Sequence, residues 1–67
     1  MSKMGQVHQE ATEVAEEMMA TVHHNPTRAI MGLENLVEIA KLRGESAERV
    51  YTLESAIQIL RNGELSD

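Results

Sequence analysis

The first third of the chain alternates apolar and polar residues with the period of an α-helix. Apolar side chains recur at three- and four-residue spacing, which places them on one helical face: Met4, Val7, Ala11, Val14, Ala15, Met18, Met19 and Val22. Four acidic side chains fall on the opposite side: Glu10, Glu13, Glu16 and Glu17. The pattern predicts an amphipathic helix over residues 2–23, which ends before Asn25-Pro26 because proline cannot continue a helix behind it.

A second helix starts at the same dipeptide, with Asn25 as its N-cap and Pro26 at the first helical position. Its apolar residues cover more than one face, which is typical of a central helix. The main face and its flanks carry Ala29, Ile30, Leu33, Leu36, Val37, Ile39 and Ala40, whereas Met31 and Leu42 point to the other side. We expect this helix over residues 26–43, ending at Gly44, a residue typical of helix C-termini.

The third helix is predicted over residues 46–61, with Ser46 as its N-cap. Its apolar stripe consists of Val50, Leu53, Ala56, Ile57 and Leu60. The three patterns predict a single all-α domain that covers the whole chain. The second and third helices form an antiparallel hairpin, and the amphipathic N-terminal helix packs across it or exchanges with a second subunit.

The composition limits how much core this domain can build. The chain has 67 residues, no cysteine, and Tyr51 as its only Phe, Tyr or Trp residue. A domain of this size buries about 60% of the surface that its unfolded chain exposes. Because disulfides and cysteine-based metal sites are missing, we expect association to supply the reinforcement, as a homodimer, a higher homo-oligomer or a complex with another protein.

The net charge makes two classes of binding partner less favourable. A formal net charge of −5 disfavours nucleic acid and anionic membrane surfaces, since such binding is driven by cationic residues. No run of 18 apolar residues spans a bilayer. No apolar segment follows residues 1–5, so we expect no signal peptide and a cytoplasmic location.

The chemistry of the side chains does not indicate an enzyme. No nucleophile and base stand at a recognisable spacing, and no histidine pair has the spacing of metal ligands. His23 and His24 are adjacent and would point about 100° apart on a helix, with His8 several turns away. We therefore expect no catalysis, no metal and no cofactor.

The first helix is the candidate contact element. Its apolar face has no leucine, isoleucine or aromatic residue, and methionine suits surfaces that repack around a partner. The plain alternative is that methionine fills a small core. The predicted partner-binding residues are Met4, Val7, Val14, Met18, Met19, Met31 and Leu42. The acidic patch of Glu10, Glu13, Glu16 and Glu17 is either a solvated face or a surface for a basic partner.

Residues 39–53 resemble the core of a helix-turn-helix motif. Ala40, Gly44 and Val50 stand at the alanine, glycine and aliphatic positions of that motif, although charged residues flank the glycine where it normally has aliphatics. The resemblance implies that Ser46, Arg49, Tyr51 and Thr52 lie at or beside the DNA-facing surface. An αα-hairpin with a glycine joint is the competing interpretation of the same residues.

A second stretch, residues 43–57, is similar to the C-terminal helix of small needle-subunit chaperones from type III secretion systems. This resemblance implies a short helical hairpin that acts only when bound to a partner.

The function we expect is that of a small non-enzymatic regulator that binds a protein, as an inhibitor, adaptor or chaperone of a size typical of bacteria and phages. A DNA-binding helix-turn-helix regulator is the alternative. A small anionic ligand held between subunits is a further possibility, with Arg28, Lys41, Arg43 and Tyr51 as its candidate contacts.

Overall fold

The computed structural model describes the backbone of residues 3–65 and the side chains of residues 8–65. This part of the chain forms three helices, α1 (Lys3–Thr21), α2 (Pro26–Arg43) and α3 (Ala47–Arg61), and contains no strand. The prediction of an all-α domain with three packed helices is confirmed.

Both ends of α2 are fixed by local hydrogen bonds. The side chain of Asn25 accepts a bond from the Arg28 N–H at 3.1 Å, which caps the N-terminus. Gly44 adopts φ +71°, a left-handed conformation that glycine reaches without steric cost. The Glu45 N–H then donates to the Ala40 carbonyl at 2.9 Å, so the chain leaves α2 in a closed turn. Sequence and structure agree on this element because its signals are local.

The end of α1 differs from its prediction. The helix stops at Thr21 rather than His23, because His23 and His24 both adopt left-handed φ angles, of 56° and 60°. The His24 N–H donates to the Met19 carbonyl at 2.6 Å and closes the last turn. These two residues turn the chain so that Pro26 can begin α2 in a new direction.

The pairing of α2 with α3 is the most extensive packing in the fold. Two exposed ion pairs flank it, Lys41 with Glu54 at 3.9 Å and Arg61 with Glu34 at 2.8 Å. Glu34 lies seven residues before Lys41 in α2, and its partner Arg61 lies seven residues after Glu54 in α3. The two helices therefore form an antiparallel hairpin in one register along most of their length.

Packing of α1 is chiefly against α3, and it uses small side chains. Ala11 and Ala15 are fully buried, as is Ala56 of α3. The Cα envelope measures 31 × 29 × 16 Å. A hairpin of two helices is only about 15 Å wide, so the 29 Å dimension requires α1 to cross the hairpin at a steep angle. This crossing fixes which parts of α2 are left uncovered.

The left-handed turn generates a stability prediction. His24→Gly should raise the free energy of unfolding by about 0.5–1 kcal/mol, because a left-handed conformation costs about 1–2 kcal/mol for a residue with a Cβ atom, and glycine offsets part of that gain through its unfolded-state entropy. The melting temperature, followed by circular dichroism, should rise by about 4 °C.

Ala20→Gly is the matched control, since Ala20 is exposed in the last turn of α1 with helical geometry. It should lower the free energy of unfolding by about 1 kcal/mol. If both glycine variants lose stability to the same extent, the left-handed turn is not the conformation that His24 adopts.

Candidate protein-binding surface

Large apolar side chains are exposed on the outer side of α2. Met31 is 63% exposed and Leu42 is 84% exposed, on the side of the helix opposite the core, where the sequence pattern placed them. Leu36 and Ile39 are 36% and 41% exposed beside them. We call these four residues, Met31, Leu36, Ile39 and Leu42, the α2 apolar strip.

Sequence reasoning missed the two middle members of the α2 apolar strip. Leu36 lies on the predicted main face and Ile39 on its flank, next to Leu33 and Ala40, which are buried. Leu36 and Ile39 are exposed because α1 crosses α2 in its N-terminal half and does not cover the C-terminal half. No local signal in α2 could report that, since the angle of α1 is a tertiary feature.

Of the α1 residues predicted to contact a partner, those whose side chains the structure describes are engaged within the chain. Val14, Met18 and Met19 are half-buried and pack against the core, beside Ala11 and Ala15. The side chains of Met4 and Val7 lie outside the described residues. Among the described side chains, the predicted contact set thus divides into Val14, Met18 and Met19, which pack inside, and Met31 and Leu42, which face outward.

The crossing of α1 and α2 takes place at Gly32. A Cβ atom built on Gly32 would lie 3.1 Å from the Met18 Sδ atom, closer than ordinary van der Waals contact. A glycine inside a helix costs about 1 kcal/mol relative to alanine. Here it allows the Met18 side chain to lie directly on the α2 backbone.

The acidic patch is exposed along α1. Glu10, Glu13, Glu16 and Glu17 are all exposed, and none belongs to an ion pair within the described side chains. Glu10 and Glu13 line an open groove of about 390 Å³ between α1 and the first turns of α3, together with Val14, Ser46, Glu48, Arg49 and Thr52. The patch therefore borders the end of the hairpin where α2 turns into α3.

Of the four residues named for the helix-turn-helix alternative, Ser46, Arg49 and Tyr51 are exposed and Thr52 is buried. Thr52 is only 5% exposed, and its hydroxyl donates to the Glu48 carbonyl at 2.9 Å, contrary to the exposed position expected for it. Ser46 Oγ accepts from the Arg49 N–H at 3.2 Å as an N-cap. Tyr51 is more than half exposed. Thr52 is buried because its face of α3 belongs to the packed interior of the bundle.

The joint between α2 and α3 has the geometry of an αα-hairpin. Arg61 and Glu34 are 27 residues apart in the chain, yet their side chains meet at 2.8 Å. Helices of a helix-turn-helix motif diverge from their turn at about 90–120° and could not form this contact at their far ends. The glycine joint at Gly44 is therefore the turn of a hairpin.

Other polar groups among the described residues lie on the outer face of α3 and in the turn after α1. A larger groove of about 830 Å³ borders the outer face of α3, with Tyr51, Gln58, Asn62 and His8 among its lining residues. No group of three or more potential metal ligands occurs among the described residues. The turn residues His23 and His24 are exposed.

The candidate contacts of an anionic ligand do not converge. Arg28 and Arg43 lie at opposite ends of α2, about 22 Å apart along its axis. Lys41 is paired with Glu54 on the α3 side of the helix. Tyr51, the fourth candidate, lies on the outer face of α3. Within one chain these groups do not form a single anion site.

Comparison with protein-family models, with curated proteins and with solved structures gives no match. In the part of the chain that the structure describes, no helix combines the length and apolar character needed to cross a bilayer.

The contact at Gly32 predicts coupling between α1 and α2. Gly32→Ala should gain little stability in the natural background, because the new methyl group crowds Met18. In a Met18→Ala background the same change should stabilise by about 1 kcal/mol, the normal helix preference for alanine over glycine. A double-mutant cycle from urea unfolding should show a coupling of about 0.5–1 kcal/mol. Additive effects would mean that Met18 does not rest on Gly32.

Proposed function

We propose that the protein is a small non-enzymatic regulator, acting in the cytoplasm, that works by binding another protein through the α2 apolar strip. The exposure of that strip is the observation that supports the proposal. Contiguous apolar surface on a small protein is typical of interaction sites, whereas single exposed apolar residues are ordinary. Leu36, Ile39 and Leu42 follow one another at three-residue spacing and form such a surface, and Met31 lies about three turns before Leu42 on the same side of the helix.

The small core makes this exposure informative. Leu33 and Leu53 are the largest described side chains that are fully buried. Within residues 8–21 of α1, only Ala11 and Ala15 reach that level of burial. Burying a leucine, isoleucine or methionine side chain stabilises a fold by about 1.5–3 kcal/mol. A chain with few large apolar residues nevertheless leaves four of them exposed on α2. A bound protein would recover that stabilisation.

Two forms of association fit this surface. One is a complex with a different protein, in which the chain acts as an inhibitor, adaptor or chaperone. The similarity of residues 43–57 to needle-subunit chaperones favours the chaperone form. The other is a homodimer or higher homo-oligomer, which is favoured by the small core. A stable interface buries about 800 Å² on each partner, roughly a sixth of the 4869 Å² surface of this chain.

The test of this proposal is the double substitution Met31→Gln/Leu42→Gln. Glutamine preserves helix propensity and adds no charge, and both side chains are exposed, so helicity measured by circular dichroism should be unchanged. The variant should lose at least about 2 kcal/mol of binding free energy if the strip contains the central contacts. Affinity capture from the host, with the mass of the recovered complex measured by light scattering, reports the loss.

Gln58→Ala is the matched control, because Gln58 is exposed on the outer face of α3. It should leave complex formation intact. Equal recovery of a complex by the natural chain and by Met31→Gln/Leu42→Gln would contradict the role of the strip. Binding to DNA that weakens with salt and with Arg49→Ala would instead support the helix-turn-helix alternative.

A further inference from the structure

The outer side of α2 carries a line of four exposed residues whose spacing is the same from either end. Met31, Asn35, Glu38 and Leu42 follow one another at steps of four, three and four residues, so on a helix they lie within an arc of about 60°. All four are exposed, on the side of α2 opposite its buried residues. We call Met31, Asn35, Glu38 and Leu42 the α2 outer line. It shares its two ends, Met31 and Leu42, with the α2 apolar strip.

The order of side chains along the α2 outer line is also symmetric, because it runs apolar, polar, polar, apolar. In a second copy of α2 that runs antiparallel, every member of the line can therefore lie at the height of another member. A two-fold axis midway between positions 36 and 37 places Met31 of one copy opposite Leu42 of the other, and Asn35 opposite Glu38. Closed dimers require a self-complementary patch of this kind, whereas binding to a different protein does not.

The chemistry of the facing groups matches in this arrangement. At both ends of the α2 outer line an apolar side chain meets an apolar one. In the middle, the Asn35 side-chain amide can donate to the Glu38 carboxylate of the second copy, and the two-fold axis supplies this bond twice. A parallel pair would instead bring Glu38 against Glu38, and like charges at an interface oppose binding. The pattern favours the antiparallel orientation.

The charge of α2 also suits a second copy of this chain. Three basic and two acidic residues give α2 a formal charge of +1, whereas the whole chain carries −5. By contrast, α1 has one basic and four acidic residues. On α2, Glu34 and Lys41 are already paired with groups of α3. Contact through α2 therefore brings a positively charged helix toward a negatively charged chain, which offsets part of the repulsion between two copies.

The size of this contact predicts its strength. The 18 residues of α2 are about 27 Å long, and one helix face about 10 Å wide presents on the order of 300 Å² per copy. Stable complexes bury about 800 Å² per partner, and smaller contacts are typical of weak, reversible association. We expect a dissociation constant on the order of 10–100 μM.

We propose that the α2 outer line is a homodimer contact in which two copies of α2 pack antiparallel about a two-fold axis. This inference rests on the proposed function, since both use Met31 and Leu42 as the surface for association, and it names a second copy as the occupant. A dimer of this strength dissociates at low concentration. Dimerisation and binding of a different protein then compete for the same two side chains.

The first test is the mass of the natural chain by sedimentation equilibrium, at concentrations from about 5 to 500 μM, on either side of the expected dissociation constant. The mass should rise from 7.5 kDa toward twice that value. In Met31→Gln/Leu42→Gln the dissociation constant should increase by tenfold or more. Gln58→Ala, an exposed change on α3, is the matched control and should leave it unaltered. Circular dichroism checks that each variant keeps its helicity.

The second test determines orientation by disulfide formation, which is clean because the natural chain has no cysteine. Met31→Cys and Leu42→Cys are oxidised separately and as a mixture. In the antiparallel pair the mixed disulfide forms at one end while the other end keeps its natural Leu42–Met31 contact. Two copies of the same cysteine are about 16 Å apart along the helices, beyond the limit of about 7 Å between Cα atoms.

Mass spectrometry of the mixture should show at least tenfold more of the mixed disulfide than of either same-site disulfide. Gln58→Cys gives the background rate for an exposed cysteine outside the contact. A natural chain that stays at 7.5 kDa at every concentration overturns the inference. Same-site disulfides that form as fast as the mixed one overturn it as well, since they indicate a parallel or random encounter.

The proposed function and this inference fail separately. If the natural chain is monomeric but its host complex is lost in Met31→Gln/Leu42→Gln, the occupant of this surface is a different protein. That result contradicts the homodimer and leaves the proposed function standing. If the double variant loses the dimer while its host complex is recovered as before, the homodimer is supported and the proposed function is contradicted.

Discussion

The antiparallel packing of α2 against α3 is the interaction on which the rest of this structure depends. It contains Leu33 and Leu53, the largest fully buried side chains, and its register is marked by ion pairs at two levels. The hairpin can form this core because Asn25, Gly44 and Ser46 define where its helices begin and end. Exposed ion pairs contribute little free energy, so apolar packing must supply most of the stability.

The alanine contact between α1 and the hairpin has a different physical character. Ala11 and Ala15 let α1 approach closely, but each buries little apolar area compared with a leucine. Met18 and Met19 add flexible contacts that are only half-buried. A helix that is held by small residues and meets α2 at Gly32 leaves Leu36 and Ile39, farther along α2, exposed. The exposure of Leu36 and Ile39 therefore follows from the way α1 is attached.

Local signals explain how much of this fold could be predicted. The cap at Asn25, the left-handed Gly44 and the cap at Ser46 are readable because each acts within one helical turn. The end of α1 was less predictable, since two consecutive left-handed histidines have no sequence signature of the kind glycine provides. Thr52 and Ile39 were misjudged for a different reason: their exposure depends on where α1 crosses the hairpin.

The candidate site likewise combines features that local sequence predicts with features that depend on tertiary packing. The outward direction of Met31 and Leu42 follows from helical periodicity alone, whereas the exposure of Leu36 and Ile39 depends on where α1 meets α2, at Gly32. A ligand that binds the folded state stabilises it in proportion to the logarithm of its concentration over its dissociation constant. A partner that contacts α1 as well as the α2 apolar strip would touch the weakly attached element and the hairpin together. Binding would thus strengthen the least extensive contact in the fold, so the attachment of α1 and the affinity for a partner are thermodynamically coupled.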